Sequence, residues 1–596
     1  MCGIAGFLAI GGIGIAPYVL DQMLDSIRHR GPDDRGVYLD PVAELALGHL
    51  RLSIIDLSEH GHQPMVNPAT GDVLAFNGEI YNFRELRKQL ETEGHIFHSE
   101  SDTEVLLLAF QQWGIDCVNR IKGMFAFAIW SPQQNSLFLA RDPMGIKPLY
   151  YWKMNGDKGI VFASEVKAFL EIPGFKRAIN RHSLDQFLEF GYSTGKDTIF
   201  QNVPKLSPGT WMRIEDGRVV ESTVYFEPAV PLKSGQLETA ELIEKTYHTL
   251  DQVVSEHLVA DVPVGILLSG GLDSSLIAAL AARHGPIQTF TMGFADSQVD
   301  ERRFGRAVSD FIGSSHHEVE ISPQEIIEGL EQNVWFFDDL FADWGMISTR
   351  LLYHKCREKD IKVVIVGEGA DELFGGYGVF GNAVPGALRG PTQWRLFQLY
   401  RQYAGRRYGR CFADFSRVMQ AYLSQSHGDW FHAIRMFESR NQLPNNYVMK
   451  VDKASMAVSV EARVPYLDSR VAEIAFSIPR DELMGKDSGK VLLQCVARQY
   501  GLLPDEIVNR PKYGAPLAVS WMDESRPFRA YAREVIMDKA GWVDELGLRS
   551  AMRDYFDKGK SGYAFPHAIS HFRNLAWRLL LLNLWSRSYL EPMRSA

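Results

Sequence analysis

The sequence predicts two domains of different grammar. An antiparallel α+β domain comes first, then an α/β domain on a parallel sheet that ends in a helical part. Three observations predict this. Strand-length apolar runs crowd the first 165 residues, a proline-rich stretch follows, and beyond it strands alternate with glycine loops and helices.

Taken in order, Leu20, Met23, Leu24 and Ile27 fall at helical spacing, as do Phe83, Leu86 and Leu90, with Gly94 as a stop. Leu50, Leu52 and Ile54 alternate with polar partners, and 124–130, 137–140 and 149–152 are apolar runs of strand length. Few helices among closely spaced strands make an antiparallel domain over 2–200. Pro204, Pro208, Gly209, Pro228 and Pro231 then break the pattern, so 201–237 reads as a connector with one or two strands. The second domain, 238–596, opens with a helical stretch (238–258). A strand at 262–268, a Gly/Ser loop, a helix at 275–283 and a strand at 287–292 then form a βαβ unit. The run 362–366 is another buried strand, and from about 385 the chain reads as helical and aromatic.

Composition narrows the function. With 46% hydrophobic and 23% charged residues the chain reads as globular rather than disordered. Lys+Arg 63 against Asp+Glu 73 is too acidic for a protein that lives on a nucleic-acid backbone. Five scattered cysteines with no CxxC pair exclude a zinc ribbon and a disulfide framework, and the last four read as small buried hydrophobes. The apolar run 579–585 is too short to span a bilayer and the start lacks a basic region, so the expectation is a cytoplasmic enzyme without membrane partners.

Two loops in the second domain carry anion chemistry. SGGLDSS at 269–275 lies between a strand and a helix, where glycines admit an anion to the backbone and the helix start supplies free N–H groups. It lacks a Walker lysine, and Asp273 inside it makes sense if Mg²⁺ bridges it to phosphate. The string resembles the pyrophosphate loop of ATP pyrophosphatases, which split ATP between the α and β phosphates. VGEGADELFGGY at 366–377 follows a strand, where open α/β sheets bind ligands, and its carboxylates need a shared cation.

The N-terminus carries a second chemistry. Loss of Met1 would leave Cys2 with a free α-amine of pKa about 7.7–8, able to take the thiol proton. CGIAG at 2–6, RHRGPD at 28–33, RLSI at 51–54, FNGEIYN at 76–82 and SDTE at 101–104 occur in order. Together they resemble class II glutamine amidotransferases, whose fold is the αββα sandwich of N-terminal-nucleophile hydrolases. Joined to SGGLDSS, nearly the whole chain resembles the glutamine-hydrolysing asparagine synthetase family.

The resemblance implies roles. Cys2 attacks the glutamine amide, Asn77 and the Gly78 backbone form the oxyanion hole, Arg51 grips the α-carboxylate, and Glu79 and Asp102 hold the α-ammonium. Leu268, Ser269, Gly270, Gly271, Asp273, Ser274, Ser275, Met292, Gly367, Glu368 and Gly369 surround ATP, with Asp273 and Asp371 on Mg²⁺. Glu368 takes a proton from attacking ammonia, and Lys490 steadies the phosphates. KVDKASM at 450–456 and VEARVPYLD at 460–468 form the floor between the sites. Read singly, Asn77-Gly78 is a turn and Asp102 a helix cap.

The chain departs from the family at Val366, in place of a common Ser, across 341–350 (FADWGMISTR), and at Gln494, in place of a common Arg. All three fall where the acceptor carboxylate binds. The expected activity is transfer of glutamine ammonia to an acyl-adenylate, with aspartate the first acceptor and a polysaccharide uronic acid or a peptide carboxylate as alternatives. A non-catalytic nucleotide- or glutamine-binding paralogue is the reading from another class. A homodimer is a further expectation.

Overall fold

The computed structural model describes residues 2–9, 17–154, 159–228, 239–294, 301–383, 390–404, 409–478, 480–484, 489–510, 521–539, 541–558 and 566–590. Its first eleven strands are β1 (Gly3–Ala9), β2 (Asp34–Asp40), β3 (Leu45–Arg51), β4 (Met65–Val66), β5 (Val73–Ile80), β6 (Gly123–Ser131), β7 (Ser136–Arg141), β8 (Tyr150–Lys153), β9 (Gly159–Ala163), β10 (Thr210–Glu215) and β11 (Arg218–Val224). They form two antiparallel sheets, ordered β2-β3-β1-β9-β8 and β11-β10-β7-β6-β5-β4.

Alternation along the strands explains the stacking of these sheets. Ile4 and Leu8 of β1, Leu45 and Leu47 of β3, Val73 and Ala75 of β5, and Ala126 and Ala128 of β6 meet in one buried layer between them. The opposite faces are covered by helices, Pro17–Ser26 on the first sheet and Phe83–Thr92 with Asp102–Trp113 on the second. The result is an αββα sandwich. β10 and β11 come from the stretch read as a connector and extend the second sheet from β7. The strand expected to run to Ile54 stops at Arg51, because the next residues leave the sheet to wrap the Arg51 guanidinium.

The second unit has a five-stranded parallel sheet ordered β14-β13-β12-β15-β16: β12 (Val264–Leu267), β13 (Gln288–Phe294), β14 (Ser315–Ile321), β15 (Val363–Ile365) and β16 (Glu461–Arg463). Beyond residue 390 the described chain is helical apart from β16. A π-helical run at Glu438–Tyr447 accommodates Pro444, whose missing N–H breaks an ordinary helical ladder, just before the helix Val448–Met456. The long helix Pro566–Tyr589 is core within this chain: Trp577 and Trp585 are buried, and their ring N–H groups donate to Ala342 O and Asp338 O. No described helix is long and apolar enough to cross a membrane.

The two units meet across buried charge. Arg30 forks onto Asp452 at 2.9 and 3.1 Å and reaches Glu165 at 2.8 Å, while Lys453 lies 3.7 Å from Glu165 and pairs within its own unit with Asp338 at 2.8 Å. Each of these side chains is almost wholly excluded from water, so each charge depends on its partner.

Candidate active sites

A small cavity opens beside the start of β1. Cys2, Arg51, Gly78, Glu79 and Asp102 all line it, together with Leu52, Ile54, Ile55, Gln63, Phe76, Ser101, Thr103 and, from the second unit, Glu461. Four secondary structures bring the polar groups together: the head of β1, the end of β3, the second half of β5 and the start of helix Asp102–Trp113.

Cys2 is buried, although a terminus is ordinarily exposed. Its backbone N–H donates to Asn77 Oδ1 at 3.0 Å, and Arg30 Nε donates to its carbonyl at 3.1 Å. Burial raises the thiol pKa, and the positive amino terminus opposes that shift. The Asn77 amide nitrogen is buried without a hydrogen-bond partner, and Asn77, unlike Gly78, is not among the residues that line the cavity; it reaches the site through Cys2 N–H. Asn77 and Gly78 lie inside β5, not at a turn, and the cap of helix Asp102–Trp113 is Ser101 rather than Asp102.

Arg51 is fixed by the loop that follows it, donating to Ser58 O at 2.9 Å and to Asp56 O and Ile55 O. Burial pushes the Asp102 carboxyl up to about 6, although Ile80 N–H donates to it at 2.9 Å. Burial also raises Glu79 well above the usual range, opposed by the Arg463 guanidinium. These carboxyls sit in a pocket where a bound cation would restore their charge.

Glu461 and Arg463 were read from the sequence only as floor. The structure sets Glu461 in the cavity wall and runs Arg463 from Glu461 Oε1, at 2.6 Å, to Glu79 Oε2, at 3.2 Å. Gln63 went unread: its amide accepts Phe76 N–H at 2.7 Å and donates to Thr103 Oγ1 at 3.1 Å. No motif around Gln63 marks it, because its role is set by strands distant in sequence.

The second site forms at the carboxyl ends of β12, β13 and β15. After β12 comes the SGGLDSS loop, where Gly270 at φ +68° lies so close to Phe304 that a Cβ would sit 2.4 Å from it. Ser269 N–H donates to Ser274 Oγ at 3.1 Å, tightening the turn into helix Leu272–Ala282. Leu268, just past the end of β12, is tied to β13, which carries Met292, by Leu268 N–H to Phe290 O at 2.8 Å. Gly367 packs on the backbone of Ser274, and Gly369 takes φ +95° against Leu467, so the two anion-type loops face each other. Arg510, unread in the sequence, donates to Ser269 O at 3.2 Å.

Lys490 joins these loops, with Nζ bonded to Asp273 Oδ2 and 2.7 Å from Asp371 Oδ1. Burial would lower its pKa, but the two carboxylates carry it above the ordinary lysine value. Ser488 lies outside the described residues. Among the described residues no group of three or more His, Cys, Asp and Glu side chains gathers as a metal cage. Two carboxylates converging on one cation do fit Mg²⁺, which takes one or two carboxylates with phosphate and water oxygens. Glu368 stands apart from this pair. Its Oε1 is 3.8 Å from Lys450 Nζ, which also lies 3.9 Å from Asp343, and burial raises its carboxyl pKa. Glu372, pushed up to about 7 by burial, accepts the Tyr377 hydroxyl at 2.7 Å.

Comparison with known proteins follows this division. A family described as "Glutamine amidotransferase domain" matches residues 1–226, and one described as "Asparagine synthase" matches 245–587. A Mycobacterium tuberculosis protein called "Putative asparagine synthetase [glutamine-hydrolyzing]" is 31% identical over 99% of this chain and 98% of its own. The Bacillus subtilis "Asparagine synthetase [glutamine-hydrolyzing] 1" is 31% identical over 99% of this chain and 97% of its own. "Amidase chry2" of Gibberella zeae is 31% identical over 64% of this chain and 60% of its own.

Proposed function

Since the chain belongs to the glutamine-hydrolysing asparagine synthetase family, we propose that it moves ammonia from glutamine, released at Cys2, to a carboxylate activated as an acyl-adenylate, with aspartate the first acceptor. The observation that carries this is the gathering of Cys2, Arg51, Gly78, Glu79 and Asp102 around one cavity.

The Cys2 sulfur attacks the glutamine amide carbon, with its proton going to the α-amine that methionine removal exposes. Arg51 takes the α-carboxylate as a bidentate fork, and Glu79 and Asp102 take the α-ammonium. Negative charge grows on the amide oxygen, where the Asn77 amide and the Gly78 backbone N–H receive it. Ammonia leaves, a thioester remains, and water hydrolyses it to glutamate and free thiol.

At the second site the acceptor carboxylate attacks the α-phosphate of ATP, and pyrophosphate leaves. The SGGLDSS backbone and the Leu272–Ala282 helix start cradle the phosphates, and Lys490 neutralises charge as it develops. Asp273 and Asp371 would hold Mg²⁺, which supplies further charge neutralisation on pyrophosphate. Ammonia then attacks the acyl carbon, AMP leaves, and Glu368 takes the surplus proton; burial, which raises its pKa, suits it to that role. The reaction runs in the cytoplasm, where ATP and glutamine are supplied together.

The alternative keeps this chemistry with a uronic acid or peptide carboxylate as acceptor. What favours it is the acceptor side: Asp343, from the divergent 341–350 segment, is turned toward Lys450 beside Glu368. The test is AMP and pyrophosphate formation with aspartate, uronic acids and peptide carboxylates, each supplied with glutamine or with ammonia. Turnover with aspartate supports the first reading, and turnover only with another acid supports the alternative. Cys2→Ala is expected to lose glutamine-driven turnover and keep ammonia-driven turnover; glutamine use unchanged in Cys2→Ala would sink the nucleophile assignment.

A further inference from the structure

The loop that fixes Arg51 is clasped from the second unit. Asp56 N–H donates to Asp261 Oδ2 at 2.8 Å, and Asp261 N–H donates back to Ile54 O at 2.9 Å. Asp56 sits at φ +53°, in the left-handed region that a non-glycine residue adopts at a cost, so the clasp holds a kink that neighbouring contacts must maintain. Ile54 and Ile55 line the cavity, and the carbonyls of Ile55, Asp56 and Ser58 hold the guanidinium. The residue doing the clasping therefore sets where the Arg51 fork stands.

Asp261 is close in sequence to the other site. Val262 and Pro263 separate it from β12, which is hydrogen-bonded on both sides by β13 and β15 and runs into the SGGLDSS loop. An extended strand of fixed rise per residue therefore joins that loop to Asp261 as a short, stiff link. A second tie leaves the same segment: Arg463 Nη1 donates to His257 O and Val259 O, both at 2.7 Å, while its Nη2 pairs with Glu79. The His257 ring stacks on Tyr81, with centroids 3.7 Å apart, just beyond the end of β5. Residues 257–261 thus touch both ends of the glutamine pocket and lead directly into the nucleotide loop.

We propose that residues 257–261 couple the two sites, with Asp261 a positioning residue through which nucleotide occupancy sets glutamine affinity. The proposal rests on the reading of the two sites given above. Coupling is reciprocal: if ATP tightens glutamine, glutamine tightens ATP by the same factor. Asp261 is itself exposed, so its removal takes nothing from the core.

The experiment uses the full chain carrying Cys2→Ala, which binds glutamine without consuming it. Glutamine affinity is measured by calorimetry with and without ATP and Mg²⁺. ATP is expected to tighten glutamine about tenfold, within the usual range of coupling between sites. Adding Asp261→Ala is expected to bring the factor to about one, while Asp261→Asn, which keeps an acceptor oxygen, restores it. A merely structural role would change affinity without changing that factor. In the protein without substitutions, ATP is also expected to slow hydrogen exchange at the Asp56 amide. Glutamine and ATP binding with independent affinities, or a factor that survives Asp261→Ala, or exchange at Asp56 that ignores ATP, would overturn the coupling and leave both sites standing. Failure to bind either ligand would overturn the site reading itself, and the coupling with it.

Discussion

Arg463, on the last strand of the parallel sheet, reaches Glu79 on β5 of the sandwich, Nη2 to Oε2 at 3.2 Å. One guanidinium thereby ties Glu79 and Glu461, both in the wall of the Cys2 cavity, to the parallel sheet of the second unit. It also bonds Glu461 at 2.6 Å and two backbone carbonyls, those of His257 and Val259, with its own side chain fully buried.

Replacing it should be costly. Arg463→Met leaves Glu79 and Glu461 buried without their shared cation, and breaking a buried pair in this way costs about 3–5 kcal/mol. Chemical denaturation should show that loss, with glutamine hydrolysis falling alongside it. An unchanged denaturation midpoint would mean that water already reaches the pair.

On the oxyanion role proposed for Asn77, Asn77→Ala should remove one of its two donors. Loss of one such donor lowers kcat by about 10²–10³. Because Asn77 Oδ1 also accepts the Cys2 N–H at 3.0 Å, the nucleophile loses an anchor as well. Steady-state glutamine hydrolysis measures the effect, and ammonia-driven turnover should stay near its original rate.

Asp102 predicts a pH dependence. Its carboxyl is pushed up to about 6 by burial, so in the empty cavity it is charged above that pH and neutral below it. Only the charged form attracts the α-ammonium of glutamine. The glutamine KM should therefore rise as pH falls through about 6. Asp102→Asn should show a raised KM without that inflection; an inflection that persists in Asp102→Asn would assign the titration to another group.

Lys490→Ala should separate the two halves of the reaction. Its ammonium sits between Asp273 and Asp371, and without it those carboxylates repel each other where phosphates must bind. ATP-dependent turnover should fall by at least about 10², the scale of one lost charge-stabilising group, while glutamine hydrolysis falls far less. Chelating Mg²⁺ should act in the same direction: AMP formation stops and glutamine hydrolysis continues.

Much of both sites was legible because their chemistry is local. SGGLDSS needs glycine where the chain turns at positive φ and small hydroxyls where the helix begins, and these demands fall on consecutive residues. Asn77, Gly78 and Glu79 are likewise one stretch of β5. Gln63, Asp261 and Arg510 were not legible. A glutamine that bonds Phe76 and Thr103, or an aspartate that clasps Ile54 and Asp56, has no neighbours in sequence that reveal its partner. The aromatic stretch near the C-terminus was readable as apolar but not as placed: burial of Trp577 and Trp585 depends on the helix Pro323–Phe337 and the loop after it, which carries Asp338 and Ala342.

The sequence by itself determined the two families and their order, since the segment that begins at Cys2 and the SGGLDSS loop are short-range patterns of residue type. Only the tertiary structure decided that the two units share walls. Glu461 enters the Cys2 cavity and Arg463 pairs with Glu79 beside it, because buried charges require partners wherever the fold supplies them, while Asp261, itself exposed, accepts the Asp56 backbone N–H. Proximity of that kind is a property of packing, and no stretch of sequence records it.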